Sequence, residues 1–138
     1  LENLEARYAL ESANTMELAE RLRSLPAIRY VNYTGLQDNP FHEIACRQFN
    51  DTYGAMICIE LSSPQACFDF LNRLKLVKRA TNLFDNRTLA IHPASTIFGN
   101  FSKQQLHDLD VSETCIRLSV GLEDVDDIFD DIRQALEF

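Results

Sequence analysis

No apolar run in this chain approaches the roughly 18 residues needed to cross a bilayer, which excludes a spanning helix. No two cysteines form a C-x-x-C pair, and no two histidines have the H-x-x-x-H spacing of metal ligands. G-x-G-x-x-G, P-loop and G-x-S-x-G patterns are all missing. A nucleophile, a base and an orienting group therefore cannot be assembled from spacing, and no metal site is read. There is no internal repeat, low-complexity tract or flexible linker; the longest breaker-rich stretch runs from Thr34 to Pro40. Positive charge is also scarce. Thirteen Lys plus Arg face 21 Asp plus Glu, a formal net charge of -8. A surface this acidic repels phosphate backbones and anionic lipid, so neither nucleic acid nor membrane is expected as a partner.

The opening residues Leu1-Glu2-Asn3-Leu4 supply neither a basic nor an apolar leader region, so no signal peptide is read and a cytoplasmic setting is expected. That expectation removes weight from the N-x-S/T sequons at Asn32, Asn50, Asn86 and Asn100. It also favours buried, reduced thiols for Cys46, Cys58, Cys67 and Cys115. The missing initiator Met suggests a piece of a longer protein.

What is present is ordinary globular composition: 138 residues, 46% hydrophobic and 25% charged, the size of one domain. Residues 2 to 24 read as an amphipathic helix, with Leu18, Leu22 and Leu25 at helical spacing and Pro26 as its stop. Residues 28 to 33 read as a strand, and a short helix follows Pro40. In residues 55 to 61, Ala55, Ile57, Ile59 and Leu61 alternate with Met56, Cys58 and Glu60, which is a clear strand. Ser63 as N-cap and Pro64 in the first turn open the next helix, whose apolar stripe is Cys67, Phe70, Leu71 and Leu74. Short strands are expected at 75 to 80 and 87 to 92. Ser102 and Gln105 form a capping box for a helix to about His107. Residues 115 to 120 alternate again, and 124 to 136 close the chain as a helix with the stripe Val125, Ile128, Phe129, Ile132 and Leu136. Several connections are too short for helical crossovers. The expected fold class is α+β: a mostly antiparallel sheet of four to five strands with helices packed on one face.

Few constellations suggest chemistry. The acidic run Glu123 to Asp131 lacks the glycine and alternating spacing of a calcium loop and reads as a solvated helix face. His42, His92 and His107 read as scattered structural or surface residues. Arg117 stands mid-strand between apolar neighbours, which suits bidentate recognition of a carboxylate. From periodicity alone, an Arg on a solvated sheet face remains the alternative.

Three stretches bear on that choice: Ile91-His92-Pro93-Ala94-Ser95-Thr96; Ile116-Arg117-Leu118-Ser119-Val120-Gly121-Leu122-Glu123-Asp124; and the opening helix with Arg7 and Asn14 followed by Val31-Asn32-Tyr33-Thr34-Gly35-Leu36. In this order and spacing the chain resembles, over nearly its whole length, the C-terminal domain of the pyridoxal-phosphate enzymes of cysteine and methionine metabolism. That family includes cystathionine γ-synthase, cystathionine and methionine lyases, and O-acetylhomoserine sulfhydrylase. The resemblance implies that Arg117 grips the α-carboxylate of an amino-acid substrate and that the loop Asn82 to Thr88, beginning with Asn82, contributes to the same pocket. Asn82-Leu83-Phe84-Asp85 is closer to the sulfhydrylases than to the lyases. Phe84 stands where the family usually has glycine, and Ile97 and Phe98 follow Thr96 where it usually has Thr-His.

The resemblance further implies that the cofactor, pyridoxal phosphate, is held by a large N-terminal domain absent from this chain. Lys75, Lys78 and Lys103 lack the context of a Schiff-base lysine, so no catalytic or cofactor-binding residue is expected here and the chain alone is expected to be inactive. The parent would be a homotetramer replacing the γ-substituent of an activated homoserine with a sulfur nucleophile. A lyase of the same family is the alternative reaction. A stand-alone amino-acid-binding regulatory module is the alternative from a different class.

Overall fold

Two alternating segments make the centre of the sheet. In the computed structural model, which describes residues 3–137, β2 (Met56–Glu60) pairs antiparallel with β5 (Cys115–Ser119) over five residues, with Cys58 opposite Arg117 and Glu60 opposite Cys115. Ile57, Ile59, Ile116 and Leu118 are fully buried on one face. Cys58, Cys115 and Arg117 stand half-buried on the other. This period-two pattern is what a sheet covered by helices on one side requires.

The covering helices are α1 (Leu4–Leu22), α3 (Pro64–Arg73) and α5 (Val125–Ala135), which pack on each other and on the central strands. Leu18, Leu22, Phe70, Ile128 and Ile132 meet the strand isoleucines in one core. Each such side chain contributes roughly 1.5–3 kcal/mol by leaving water. Local signals set the helix starts. Ser63 accepts from the Ala66 N–H, Asp124 accepts from the Asp126 N–H, and Ser102 and Gln105 complete the reciprocal capping box of α4 (Lys103–Asp108). The short helix after Pro40 is α2 (His42–Phe49). Glu2, the first residue of the expected opening helix, lies outside the described residues.

β1 (Tyr30–Asn32), β3 (Lys78–Arg79) and β4 (Leu89–Ile91) complete the sheet in the order β1-β2-β5-β4-β3. All pairings are antiparallel except β3 with β4, so the expected mostly antiparallel α+β sheet is mixed, with one short parallel pair. The parallel pair arises because the chain leaves β3, crosses the open face of β5, and returns to β4 through residues 80–88.

The acidic run is a correction to the sequence reading. Asp124, Asp126, Asp127 and Asp130 are exposed as expected, but Asp131 is buried and Glu123 is turned inward. Asp131 accepts from the backbone N–H groups of Lys75, Leu76 and Val77. Glu123 accepts from the N–H and hydroxyl of Thr88, both at 2.7 Å. Partners distant in sequence turn these carboxylates inward, which helical periodicity does not report. The cysteines also differ. All four are free, but only Cys67 is buried; Cys46, Cys58 and Cys115 are half-buried. Cys58 and Cys115 fall on the open-face parity of their strands, opposite the face that carries the buried isoleucines.

Candidate functional site

Arg117 projects from the centre of β5 onto the open face, flanked by Cys58 of β2 and Ile91 of β4. Its Nη2 donates to the Thr81 carbonyl at 2.9 Å and, at the 3.5 Å limit, to the Asn82 carbonyl. Among the described residues no carboxylate pairs with its guanidinium, and its other nitrogens donate to nothing. A half-buried guanidinium left without an anionic partner has donors free to bind one.

Beside it lies an open cavity of about 470 Å³ whose lining includes Arg117, Cys58, Cys115, Glu60, Ile97 and Phe98. Asp110 also lines the cavity, and the Glu60 carboxylate there accepts from the hydroxyls of Ser112 and Thr114. Ile97 and Phe98, noted in the sequence as unusual, are thus cavity walls. Phe84 is not among them: its ring stacks on Tyr8, with centroids 6.2 Å apart.

The loop 80–88 is fixed by three elements. Phe84 adopts a left-handed φ of 53°, which an L side chain disfavours by about 1–2 kcal/mol. It is held there by the Arg7 Nη2 bond to its carbonyl at 2.7 Å and by its own N–H donating to Ser119 Oγ at 3.2 Å. A residue at positive φ explains why glycine would be at ease here. At the far end the loop passes against Gly121, where a Cβ would fall 2.5 Å from the Asn86 carbonyl oxygen. The absence of that Cβ lets the Leu122 N–H donate to Asn86 and the Gly121 N–H donate to Thr88 Oγ1, both at 2.9 Å. Asn14 then ties α1 to the same turn by donating to the carbonyls of Gly121 and Glu123. Arg7, Arg117 and Gly121 are scattered in sequence but converge on one loop, and Asn14 bonds the turn behind it.

Of the expected pair, Arg117 and Asn82 are brought together, but Asn82 meets Arg117 through its backbone carbonyl, and its side chain is exposed. His92 is structural: its ring nitrogens are taken by Ser95 Oγ and the Glu113 carbonyl, both at 2.8 Å. Two groups were missed. Cys58 and Cys115 share the cavity floor with Arg117, and the strand alternation that places Arg117 outward places both thiols there too. The two residues are diagonal neighbours across β2 and β5. Cys115 and, after it, the Arg117 guanidinium draw the Cys58 thiol below its ordinary pKa, against the opposing effect of burial. Cys115 is pushed up by the same contact and by burial.

Residues 1–137 match the model of the Cys/Met metabolism PLP-dependent enzymes. The chain belongs to that family. It is 39% identical over 137 residues to O-acetyl-L-homoserine sulfhydrylase 1 of Thermus thermophilus, covering 99% of this chain and 32% of that protein. It is also 39% identical over 138 residues to an L-methionine γ-lyase of Fusobacterium nucleatum, covering 99% of this chain and 35% of that one. A crystal structure described as an O-acetylhomoserine (thiol)-lyase of Campylobacter jejuni, carrying N'-pyridoxyl-lysine-5'-monophosphate, superposes with a TM-score of 0.94 at 33% identity. The match takes in 99% of this chain and 33% of that one. The chain therefore spans about a third of the length of the relatives it matches.

Members of the family depend on pyridoxal phosphate. None of the chain's three lysines is placed to form that cofactor's imine. An imine-forming lysine must be desolvated or otherwise activated, but Lys75 and Lys78 are exposed and the Lys103 side chain is 87% exposed. No group of three or more His, Cys, Asp or Glu among the described residues is placed to hold a metal ion. No helix of the described residues is long and apolar enough to cross a membrane.

Proposed function

We propose that this chain is the C-terminal, substrate-domain part of a pyridoxal-phosphate enzyme of the O-acetylhomoserine sulfhydrylase type, and that Arg117 anchors the substrate α-carboxylate. The supporting observation is the half-buried Arg117 guanidinium, braced on one side by loop carbonyls and left without a carboxylate partner beside an open cavity. Bracing restricts the side chain before the ligand arrives, so less rotamer entropy is lost on binding. A carboxylate held there fixes the orientation of the bonds at the adjacent carbon, which is how a binding residue assists a reaction it does not itself perform. Asn82 contributes through its carbonyl, and Ile97 and Phe98 supply an apolar wall against which a substrate side chain can lie. A cytoplasmic homotetramer belongs to the same proposal.

The test is Arg117→Ala in the full-length protein. Loss of a charge-assisted, two-pronged contact worth about 3 kcal/mol lowers kcat/KM for the amino-acid substrate on the order of 100-fold, mainly through KM. Cofactor content, read from the bound chromophore, stays at the wild-type level. An unchanged KM refutes the role. The equal identity to an L-methionine γ-lyase supports elimination as the second reading. Assaying O-acetylhomoserine with sulfide against methionine alone separates the two.

A further inference from the structure

The carboxylate reading leaves the two thiols on the cavity floor without a role. Cys58 lies directly opposite Arg117 in the β2–β5 register. Cys115 lies opposite Glu60, two residues before Arg117, so it is the diagonal neighbour of Cys58 on the same face. Both line the cavity with Arg117. In a chain of net charge -8, this guanidinium is a local site of attraction for a small anion.

We propose that Cys58 is a nucleophilic modification site for small α,β-unsaturated carboxylic acids, with Arg117 seating the carboxylate and Cys58 adding to the alkene. The proposal rests on the reading of Arg117 as a carboxylate anchor. In the addition, the Cys58 thiolate donates a sulfur electron pair to the β-carbon and a C–S bond forms. The alkene π pair moves to the α-carbon, which takes a proton from solvent. The net change is thiol plus alkene to thioether, with no redox partner and no leaving group. Neighbouring Cys115 and the Arg117 charge draw the Cys58 thiol toward its thiolate against the effect of burial, the form the reaction needs. Cys46 is an internal control. It is also half-buried, but its sulfur faces His42 Nε2 and the Tyr53 hydroxyl at 3.3 Å rather than an arginine.

The experiment treats the full-length protein with monomethyl fumarate, which carries a carboxylate, or with the neutral dimethyl fumarate. Adducts at each cysteine are followed over time by peptide mass spectrometry. The monoester-to-diester rate ratio at Cys58 is expected to exceed that at Cys46 by about tenfold, the effect of one nearby charge in a partly solvated site. Arg117→Gln brings the Cys58 ratio down to the Cys46 value, while Arg117→Lys, which keeps the charge, retains a preference. Equal ratios at Cys58 and Cys46 in the unaltered chain overturn the proposal. In parallel, KM for the amino-acid substrate is measured for Arg117→Ala in the full-length protein. If KM rises while the ratios are equal, the modification site falls and the carboxylate anchor stands. If KM is unchanged and the ratios are equal, both fall.

Discussion

Asp131→Ala removes one carboxylate and strands three backbone donors. Asp131 is only 7% exposed, and its two oxygens accept from Lys75 N at 3.0 Å, Leu76 N at 2.9 Å and Val77 N at 2.9 Å. Gln134 adds a fourth donor at 3.0 Å. A hydrogen bond to a charged acceptor contributes about 1.5–3 kcal/mol, so a simple sum over the three backbone donors would reach roughly 5–9 kcal/mol. That sum is too large, because Lys75 is exposed and Leu76 half-exposed, and water replaces the lost acceptor at both. Val77 is buried, and its N–H has no such recourse. The expected loss is therefore about 3–4 kcal/mol. With an unfolding entropy near 2.1 cal/mol/K per residue, this lowers Tm by about 10–14 °C. Asp131→Asn keeps one acceptor oxygen and is expected to lose about half as much. Urea unfolding followed by far-UV circular dichroism measures both, with the slope m unchanged if the denatured state is unaffected. A loss below about 1 kcal/mol for Asp131→Ala would refute the reasoning, since it would mean the three donors find water without cost. The segment Asp131 holds leads through β3 into the loop that braces Arg117, so this stability term also bears on the site.

Two further outcomes are expected. Gly121→Ala places a Cβ within 2.6 Å of both the Asn86 oxygen and the Arg87 carbonyl carbon, so the loop must shift; a loss of about 2–3 kcal/mol and displaced NMR signals for residues 82–88 are expected, and an unperturbed loop would contradict the close approach. The Cys67 thiol is pushed up to about 11 chiefly by burial, with Glu60 adding to the effect. A raised folded-state pKa contributes stability that is complete below the ordinary thiol value near 9 and is lost as pH rises toward 11. The stability advantage of the unaltered chain over Cys67→Ala is therefore expected to narrow across that window, and a constant difference would count against burial of the thiol.

The two central strands, the three core helices, the Ser63 and Asp124 starts and the Ser102–Gln105 capping box were legible in the amino-acid order. Each is decided by neighbours within a few residues, through side-chain alternation or a cap bonding its own first turn. The family was legible too, because its motifs are local strings. Arg117's outward direction followed from the same alternation, and so did that of Cys58 and Cys115. Other features depended on residues far apart in the chain. Glu123 turns inward because Thr88 lies 35 positions away, and Asp131 is buried because Lys75 lies 56 away. The parallel β3–β4 pair, the left-handed Phe84 and the free guanidinium beside a cavity likewise depend on where a loop crosses the sheet. Local sequence sets which face a side chain takes. Only the closed chain decides which distant donor, carbonyl or thiol meets it there, because those contacts exist only once the sheet has assembled.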